Sequence, residues 1–223
     1  LENSLDAGAD RIEVEIEKGG IGLIRVRDNG VGIHRQDLSL ALSPHATSKV
    51  ADQNDLTHLL SLGFRGEALA SIASVSRLSI TTRRELDEQG WRVLGPAGDI
   101  SPAAHPPGTT VEVRDLFFNT PARRKFLRSE STEWGHLEKV FRRLALSRLE
   151  VGFTLTHNRR QILQVRDGTG SDALERRIRE VTGRAFLKRS VSVDFSAAGL
   201  HLWGRIAEPE AARSQADLQY FYV

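Results

Sequence analysis

Cysteine is absent from this sequence, and its absence excludes several kinds of site at once. Without a thiol the chain can form no disulfide, no thiolate-ligated zinc site and no cysteine nucleophile. Methionine is absent too, so Leu1 is not a natural translation start. We therefore expect the 223 residues to be a fragment, or to follow a disordered beginning.

Long hydrophobic runs are also lacking. No stretch approaches the roughly 20 apolar residues that a membrane-spanning helix needs, and no secretory signal opens the chain. We expect no membrane partner and a cytoplasmic or nuclear location. With 39% hydrophobic and 27% charged residues, the composition is typical of a soluble globular protein of one large or two small domains.

Several motifs of catalysis and nucleotide binding are missing. No Walker sequence occurs, no Gly-x-Ser-x-Gly elbow is present, and Arg35 stands where a Rossmann fingerprint requires its third glycine. The seven histidines show no spacing typical of zinc ligands. A nucleotide, if one binds, must be held by another fold.

The most informative stretch is Asp-Asn-Gly-Val-Gly-Ile, which begins at Asp28. It follows a strand-like run at 23–27 and precedes a helix-like run at 36–42, so a polar ligand could approach the backbone there. A turn with no ligand explains the same letters, because Asn and Gly both tolerate positive φ.

Two other stretches could serve a phosphate or a cation. In the run 62–69, two glycines flank Phe64 and Arg65 before a helix predicted at 67–75, an arrangement that suits phosphates but also a simple flexible helix start. In a helix predicted at 1–7, Asn3 and Asp6 share one side. They could hold a hard cation with its waters, or form an exposed polar face.

Alternating apolar residues predict a hairpin at 11–17 and 23–27, strands at 76–82, 90–94 and 108–113, and a second hairpin at 152–156 and 161–165. Helical spacing predicts a long helix at 132–149 and another at 172–182. Residues 95–107 are expected to form a loop. The glycine-rich run 167–171 is the best linker candidate, and three strand-like runs follow at 190–195, 200–206 and 217–223.

Read together, four stretches resemble the ATP-binding motifs of the GHKL superfamily, in the same order. They are Glu-Asn-Ser-Leu-Asp-Ala7, Asp-Asn-Gly-Val-Gly32, Gly-Phe-Arg-Gly-Glu-Ala-Leu69 and Gly-Thr-Thr-Val-Glu-Val113. The third of these, His-Ala-Thr-Ser-Lys49 and Asn-Thr-Pro-Ala-Arg-Arg-Lys-Phe-Leu127 are specifically similar to the MutL mismatch-repair family.

The resemblance implies an α+β fold. Residues 1–167 would form the two-layer α/β sandwich of the GHKL, or Bergerat, ATP-binding domain, with a mixed, largely antiparallel sheet. Residues 168–223 would begin a second, smaller α/β domain of the ribosomal-protein-S5-like type.

The resemblance also implies a site for ATP and Mg²⁺. Asp28 would accept a hydrogen bond from the adenine amino group, and Thr110 would complete the adenine contact. Asn3 would ligate the metal. The remaining expected ATP-binding residues line the pocket or form a lid: Asp6, Ala7, Gly30, Gly32, Ile33, Thr47, Ser48, Leu62, Gly63, Phe64, Arg65, Gly66, Glu67, Ala68 and Leu69.

In this family ATP drives dimerisation of the amino-terminal domains into a clamp that couples mismatch recognition to strand incision. The implied partners are a second copy of the protein, the mismatch-recognition protein MutS, DNA, and a downstream nicking endonuclease or helicase. The implied location is the bacterial cytoplasm, in association with the nucleoid. The basic residues Arg123, Arg124, Lys125 and Arg128 are candidates for DNA contact, although such clusters are often solvated helix faces.

Some expected catalytic groups lie outside the 223 residues. The family's general-base glutamate precedes the asparagine of the first motif by one helical turn and is expected upstream of Leu1. A lysine that reaches the γ-phosphate is expected beyond Val223. The intact protein would be a weak Mg-dependent ATPase, and this segment alone a poor one. A non-hydrolysing scaffold, or another GHKL member such as a topoisomerase subunit or chaperone, is the alternative. Pro44 also departs from the basic residue expected in that loop.

Overall fold

The computed structural model describes residues 1–43, 67–211 and 219–222. Alternating side chains generate its ten strands, because successive residues of a strand point to opposite faces. The strands are β1 (Arg11–Glu17), β2 (Leu23–Asp28), β3 (Arg77–Arg83), β4 (Gly90–Leu94), β5 (Ser101–Ala103), β6 (Gly108–Arg114), β7 (Gly152–His157), β8 (Arg160–Val165), β9 (Ser190–Ala197) and β10 (Leu200–Ala207).

Eight of these strands form one mixed sheet in the order β5-β4-β3-β6-β2-β1-β7-β8. Neighbours are antiparallel except β1 and β7, which are parallel. The architecture is the mixed α/β fold that the sequence predicted. The prediction of a loop throughout 95–107 was wrong at one place, since β5 pairs there with β4.

The helices are α1 (Glu2–Asp6), α2 (Leu38–Ala41), α3 (Ala68–Ser74), α4 (Pro121–Arg124), α5 (Glu130–Ser147), α6 (Ser171–Thr182) and α7 (Arg184–Lys188). The helix predicted at 36–42 is divided into a 3-10 turn, Arg35–Asp37, and the short α2. Ser129 caps the start of helix α5, because its hydroxyl accepts a hydrogen bond from the backbone N–H of Thr132. Among the described helices, none has both the length and the apolar content to cross a bilayer.

One face of the sheet is apolar and packs against the helices. On β1, Ile12, Val14 and Ile16 are buried on this face, where they meet Phe141 of α5. Leu78, Ile80 and Val113 form a second buried cluster under α2 and α3. The opposite face is polar, and there Arg25 bonds to Glu15 and Glu112 across three strands. The sheet therefore has one covered face, and its two layers resemble a sandwich.

Helix α6 packs on the same core as the sheet. Its Val181 is buried with β1 and β7, and its Arg177 is 1% exposed. Strands β9 and β10 form a separate two-stranded sheet. Residues 219–222, inside the third predicted run at 217–223, are not a strand. The prediction of a second domain from residue 168 stays a prediction.

Candidate functional site

Asp28 is the last residue of β2, and its side chain lies on the helix-covered face, where it is 8% exposed. Its Oδ1 accepts hydrogen bonds from the backbone N–H of Gly30 at 3.0 Å and of Thr109 at 3.2 Å. Among the described residues nothing donates a hydrogen bond to Oδ2. A buried carboxylate with one oxygen fixed and one open can accept a hydrogen bond from a ligand.

Thr82 of β3 joins the elements around Asp28. Its hydroxyl is fully buried and accepts from the backbone N–H of Ile33 at 2.9 Å while it donates to the carbonyl of Gly108 at 2.9 Å. The Thr109 hydroxyl lies 3.0 Å away and donates to Thr82, whose own proton is already used. The Thr109 oxygen therefore keeps acceptor capacity beside Asp28.

The glycines after Asp28 permit close approach of two backbone segments. A Cβ on Gly30 would lie 2.7 Å from the carbonyl oxygen of Ala7, which accepts a hydrogen bond from Val31 at 3.0 Å. Gly32 has a φ of 74°, a conformation that residues with a side chain rarely adopt. The loop 29–33 thus contacts Ala7, after α1, at Gly30 and the backbone of Arg83, at the end of β3, at Gly32, and a side chain at either glycine would displace the loop.

The structure does not bring Thr110 to Asp28. Strand β6 pairs Thr109 with Asp28 and Thr110 with Arg27, so the two threonines point to opposite faces of the sheet. On the open face, the Thr110 hydroxyl lies 2.7 Å from Nε2 of His105. Thr109, and not Thr110, therefore lies on the same face as Asp28, while the role of Thr110 in adenine binding stays a prediction.

Asn29 has a structural role that the sequence did not reveal. Its side-chain oxygen accepts from the backbone N–H of Asp10 and Arg11, and its amide nitrogen donates to the Asp10 carboxylate at 2.7 Å. These bonds hold the start of β1 against the end of β2. Asn29 and Thr82 were both missed because their contacts cross strands, whereas the alternation of Val111 and Val113 could have indicated Thr109.

Asn3 and Asp6 lie on the exposed side of α1, one helical turn apart, and Ser4 between them is buried. The backbone of Ala7 donates to the carbonyl of Asn3 at 3.0 Å, so both residues belong to the element that contacts the glycine loop. Within the described ranges no three His, Asp or Glu side chains form a group able to hold a metal ion. A cation here would depend on few protein ligands.

The phosphate side of the expected site is described only in part. Glu67 and Ala68 are exposed at the start of α3, and Leu69 packs against the apolar cluster under that helix. The other expected lid residues lie outside the described residues: Thr47, Ser48, Leu62, Gly63, Phe64, Arg65 and Gly66.

The four candidate DNA-contacting residues Arg123, Arg124, Lys125 and Arg128 are all exposed, on α4 and the turn after it. They are not among the hydrogen-bonded partners of Asp28 or Thr82. The segment is anchored to α3, because the side-chain amide of Asn119 donates to the Ser74 carbonyl at 2.8 Å. These residues therefore form a surface of their own.

A shallow cavity of about 470 Å³ lies on the open face, at the edge formed by β4 and β5. Arg83 and His105 are among its lining residues, and Asp28 is not. Burial lowers the pKa of His105, the charges of Arg27 and Arg83 act in the same direction, and the Pro106 carbonyl and Asp28 act against it. This cavity is distinct from the candidate nucleotide site.

Comparison with known proteins gives three concordant results. Residues 1–93 match the family described as histidine kinase-, DNA gyrase B- and HSP90-like ATPase. The DNA mismatch repair protein MutL of Cellvibrio japonicus is 58% identical over 100% of this chain, which spans 36% of that protein. The chain therefore spans about a third of the length of the curated relatives it matches.

Two solved structures of the Aquifex aeolicus MutL ATPase domain are similar in fold and sequence. One, complexed with ADP, has a TM-score of 0.65 and 35% identity, with 87% of this chain and 68% of that chain covered. The other, from a protein described as a bacterial mismatch repair endonuclease, has a TM-score of 0.67 and 31% identity, with 96% and 70% covered.

Proposed function

The chain belongs to the MutL family of DNA mismatch repair proteins, and from that premise we propose that it binds ATP with adenine at Asp28. The observation that carries the proposal is the buried Asp28 carboxylate, whose Oδ1 is held by two backbone donors while Oδ2 receives none from the described residues. The adenine amino group is a hydrogen-bond donor, and it would donate to Oδ2.

Neighbouring residues support an adenine ring in this place. Gly30, Gly32 and Ile33 form the loop against which the flat base would lie, and Thr82 holds that loop through Ile33. Thr109 offers a hydroxyl oxygen on the same face, directly or through a water. The ADP-complexed relative binds a nucleotide with the same base, which supports this choice of ligand.

We propose that Asn3 supplies the protein ligand of a Mg²⁺ ion on the phosphates. An exposed amide oxygen on α1 fits an ion that takes few protein oxygens and keeps several waters. Bound there, the ion would neutralise phosphate charge. Asp6 and Ala7 would line the same wall, and residues 47–48 and 62–69 would form the lid over the triphosphate.

The test of nucleotide binding compares ATP with GTP by isothermal titration calorimetry in the presence of Mg²⁺. Guanine carries a carbonyl where adenine carries its amino group, so the Asp28 carboxylate would repel it. We expect ATP to bind at least about tenfold more tightly than GTP, because an acceptor facing an acceptor costs more than a lost hydrogen bond. Equal affinities would contradict the adenine assignment.

For the intact protein we propose weak ATP hydrolysis and ATP-driven dimerisation that couples mismatch recognition to strand incision. The general base and the γ-phosphate lysine would come from outside the 223 residues, so this segment alone would hydrolyse ATP poorly. MutS, a second copy, and a nicking endonuclease or helicase are the proposed partners, in the bacterial cytoplasm with the nucleoid. The proposal rests on the named relatives. ATP analogues that fail to dimerise the intact protein would count against the clamp and favour a scaffold.

We also propose that Arg123, Arg124, Lys125 and Arg128 contact DNA phosphates. All four are exposed, and within the described part of the chain none forms an ion pair. Replacing Arg124 and Lys125 by Glu should weaken duplex binding and flatten its dependence on salt concentration. The matched control replaces an exposed basic pair, Arg159 in the turn between β7 and β8 and Arg160 at the start of β8. An unchanged salt slope would remove this segment from the DNA surface.

A further inference from the structure

The cavity of about 470 Å³ on the open face of the sheet is built from three segments. It is bordered by the end of β3, the start of β4, and β5 with the two residues that follow it. Gly90 lets these segments meet, since a Cβ there would lie 2.6 Å from the Ala103 carbonyl oxygen and 3.1 Å from Cβ of His105. The volume falls in the range of small-molecule sites, about 300–1,000 Å³.

Strand alternation directs Arg83 towards this cavity. Thr82 is fully buried on the helix-covered face, so the next residue of β3 lies on the open face, where Arg83 lines the cavity. Within the described ranges, Nε of Arg83 has no hydrogen-bond partner, and no carboxylate forms an ion pair with its guanidinium. An unpaired guanidinium presents its donors in a planar fork that matches the oxygens of a phosphate or a carboxylate.

A second arginine adds positive charge to the same face. Arg27 lies there because the next residue of β2, Asp28, faces the helices. Burial lowers the pKa of His105, and the charges of Arg27 and Arg83 lower it further. The Pro106 carbonyl and Asp28 act in the opposite direction without reversing the shift. Both arginine charges therefore act on His105, in the wall of the cavity.

The rest of the lining indicates the size and charge of a ligand. Glu88 is the acidic residue of the described lining, and it is exposed in the bend before β4, where water screens its charge. Pro102, Ala103 and Ala104 form an apolar patch. Two arginines favour a ligand with two negative charges, because a single carboxylate would leave one arginine charge without a counter-charge. The cavity is larger than one phosphate group, so the apolar patch has room for carbon atoms.

We propose that this cavity binds a phosphate dianion, as inorganic phosphate or as the phosphate group of a small ester, through the guanidinium of Arg83. Arg27 would add long-range attraction, and the carbon part of an ester would lie against Pro102 and Ala103. The site is on the opposite face of the sheet from Asp28, so it does not depend on the adenine assignment.

The experiment follows the histidine ring resonances of the full chain by NMR during titration with sodium phosphate at pH 7.5, with the ionic strength held constant by sodium chloride. The His105 resonances should shift and saturate, whereas those of His136, exposed on α5, should not move. Phosphate should also raise the pKa of His105, because a bound anion offsets the arginine charges. Acetate should bind more weakly than phosphate. Glycerol 3-phosphate identifies the source, since an ester that binds more tightly than inorganic phosphate uses the apolar patch.

Two variants localise the binding. Arg83→Gln should weaken phosphate binding at least about tenfold, because it removes charge-assisted hydrogen bonds. Ala104→Glu, at an exposed position in the lining, should weaken it similarly by placing a negative charge at the cavity without removing a buried group. Arg84→Gln is the matched control, because Arg84 is exposed, follows Arg83 in the chain and does not line the cavity. It should bind phosphate as the unaltered chain does.

Three results would overturn the proposal. One is a His105 shift that does not saturate or that His136 shares. Another is unchanged phosphate affinity in both Arg83→Gln and Ala104→Glu. The third is a His105 shift produced by duplex DNA but not by inorganic phosphate or glycerol 3-phosphate, which would assign the positive charge to a polymer and not to a small-molecule site.

Discussion

Thr109 and Thr110 are adjacent in the chain, yet β6 directs them to opposite faces of the sheet. Thr109 is 7% exposed beside Asp28, while Thr110 bonds to His105 on the open face. We predict that Thr109→Val weakens ATP binding about tenfold, because it removes the hydroxyl that bonds to Thr82 and that we propose contacts the ligand. Calorimetric titration of the folded variants measures this.

Thr110→Val is the matched control, with the same change of atoms one position along. It should bind ATP as tightly as the unaltered chain. If the valine at 110 weakens binding more than the valine at 109, the assignment of the two threonines is reversed.

His105 gives the protein a pH-dependent contact. Its Nδ1 lies 2.6 Å from the Pro106 carbonyl and donates to it, so the neutral Nε2 accepts from Thr110. In the folded protein the pKa of His105 lies below its ordinary value of about 6.5. Near that pH the unfolded chain therefore binds a proton at His105 more readily than the folded chain does. The contribution of neutral His105 to the free energy of unfolding is present above that pH and is lost as the pH falls towards the lowered pKa of the folded state.

We predict that His105→Gln reduces the fall in unfolding free energy between pH 7.5 and pH 5.5, as measured by urea denaturation at each pH. His136→Gln, at an exposed position on α5, should leave the fall unchanged. An identical fall with and without His105 would show that the histidine has no part in the pH dependence.

At the residue scale, the sequence identified groups whose chemistry is local. Asp28, Gly30 and Gly32 stand in one short run, and the structure gathers them at one strand end. Thr82 could not be found in this way, because its partners come from Ile33 and Gly108, far away in the chain. Strand register decides such contacts, and short motifs do not encode it.

Among the elements, α6 is held against its neighbours by one buried side chain. The guanidinium of Arg177 donates to five backbone carbonyls, those of Ala145, Arg148, Leu149, Val151 and Arg166. Burial is the largest of several influences on the pKa of Arg177, and it lowers that pKa. The bonds hold α6 to the end of α5, to the residues before β7 and to the residue after β8.

We predict that Arg177→Met lowers the unfolding free energy by at least about 3 kcal/mol, because it leaves several buried carbonyls without a donor. Arg179→Met is the control, two residues along the same helix at an exposed position, and it should cost less than about 0.5 kcal/mol. Urea denaturation measures both. Equal losses would show that the carbonyl contacts of Arg177 contribute little.

Element prediction succeeded where a period was sustained. The strict alternation of Ile12, Val14 and Ile16 predicted β1, and the apolar spacing after Ser129 predicted α5. Strand β5 was missed because it has three residues, one of them a proline. Its pairing with β4 is a tertiary contact that the proline-rich sequence of 95–107 does not predict.

On the scale of the whole molecule, the hairpin of β9 and β10 has one apolar face. Its register places Val191, Phe195, Leu202 and Ile206 on that face, and each is more than half exposed. Helix α6 shares the core of the large sheet through Val181, while the start of a second domain at residue 168 stays a prediction. The glycine run at 167–171 indicated a boundary, but sequence could not show that α6 packs back on the first core.

We propose that Asp28 anchors the adenine of ATP, and titration of Asp28→Asn with Mg-ATP tests this role most directly. Replacing the carboxylate by an amide removes a charged acceptor from a buried position, so we predict ATP binding at least about tenfold weaker. Asp37→Asn, at an exposed site in the turn before α2, is the control and should bind normally. An Asp28→Asn chain that folds and binds ATP as tightly as the unaltered chain would contradict the account.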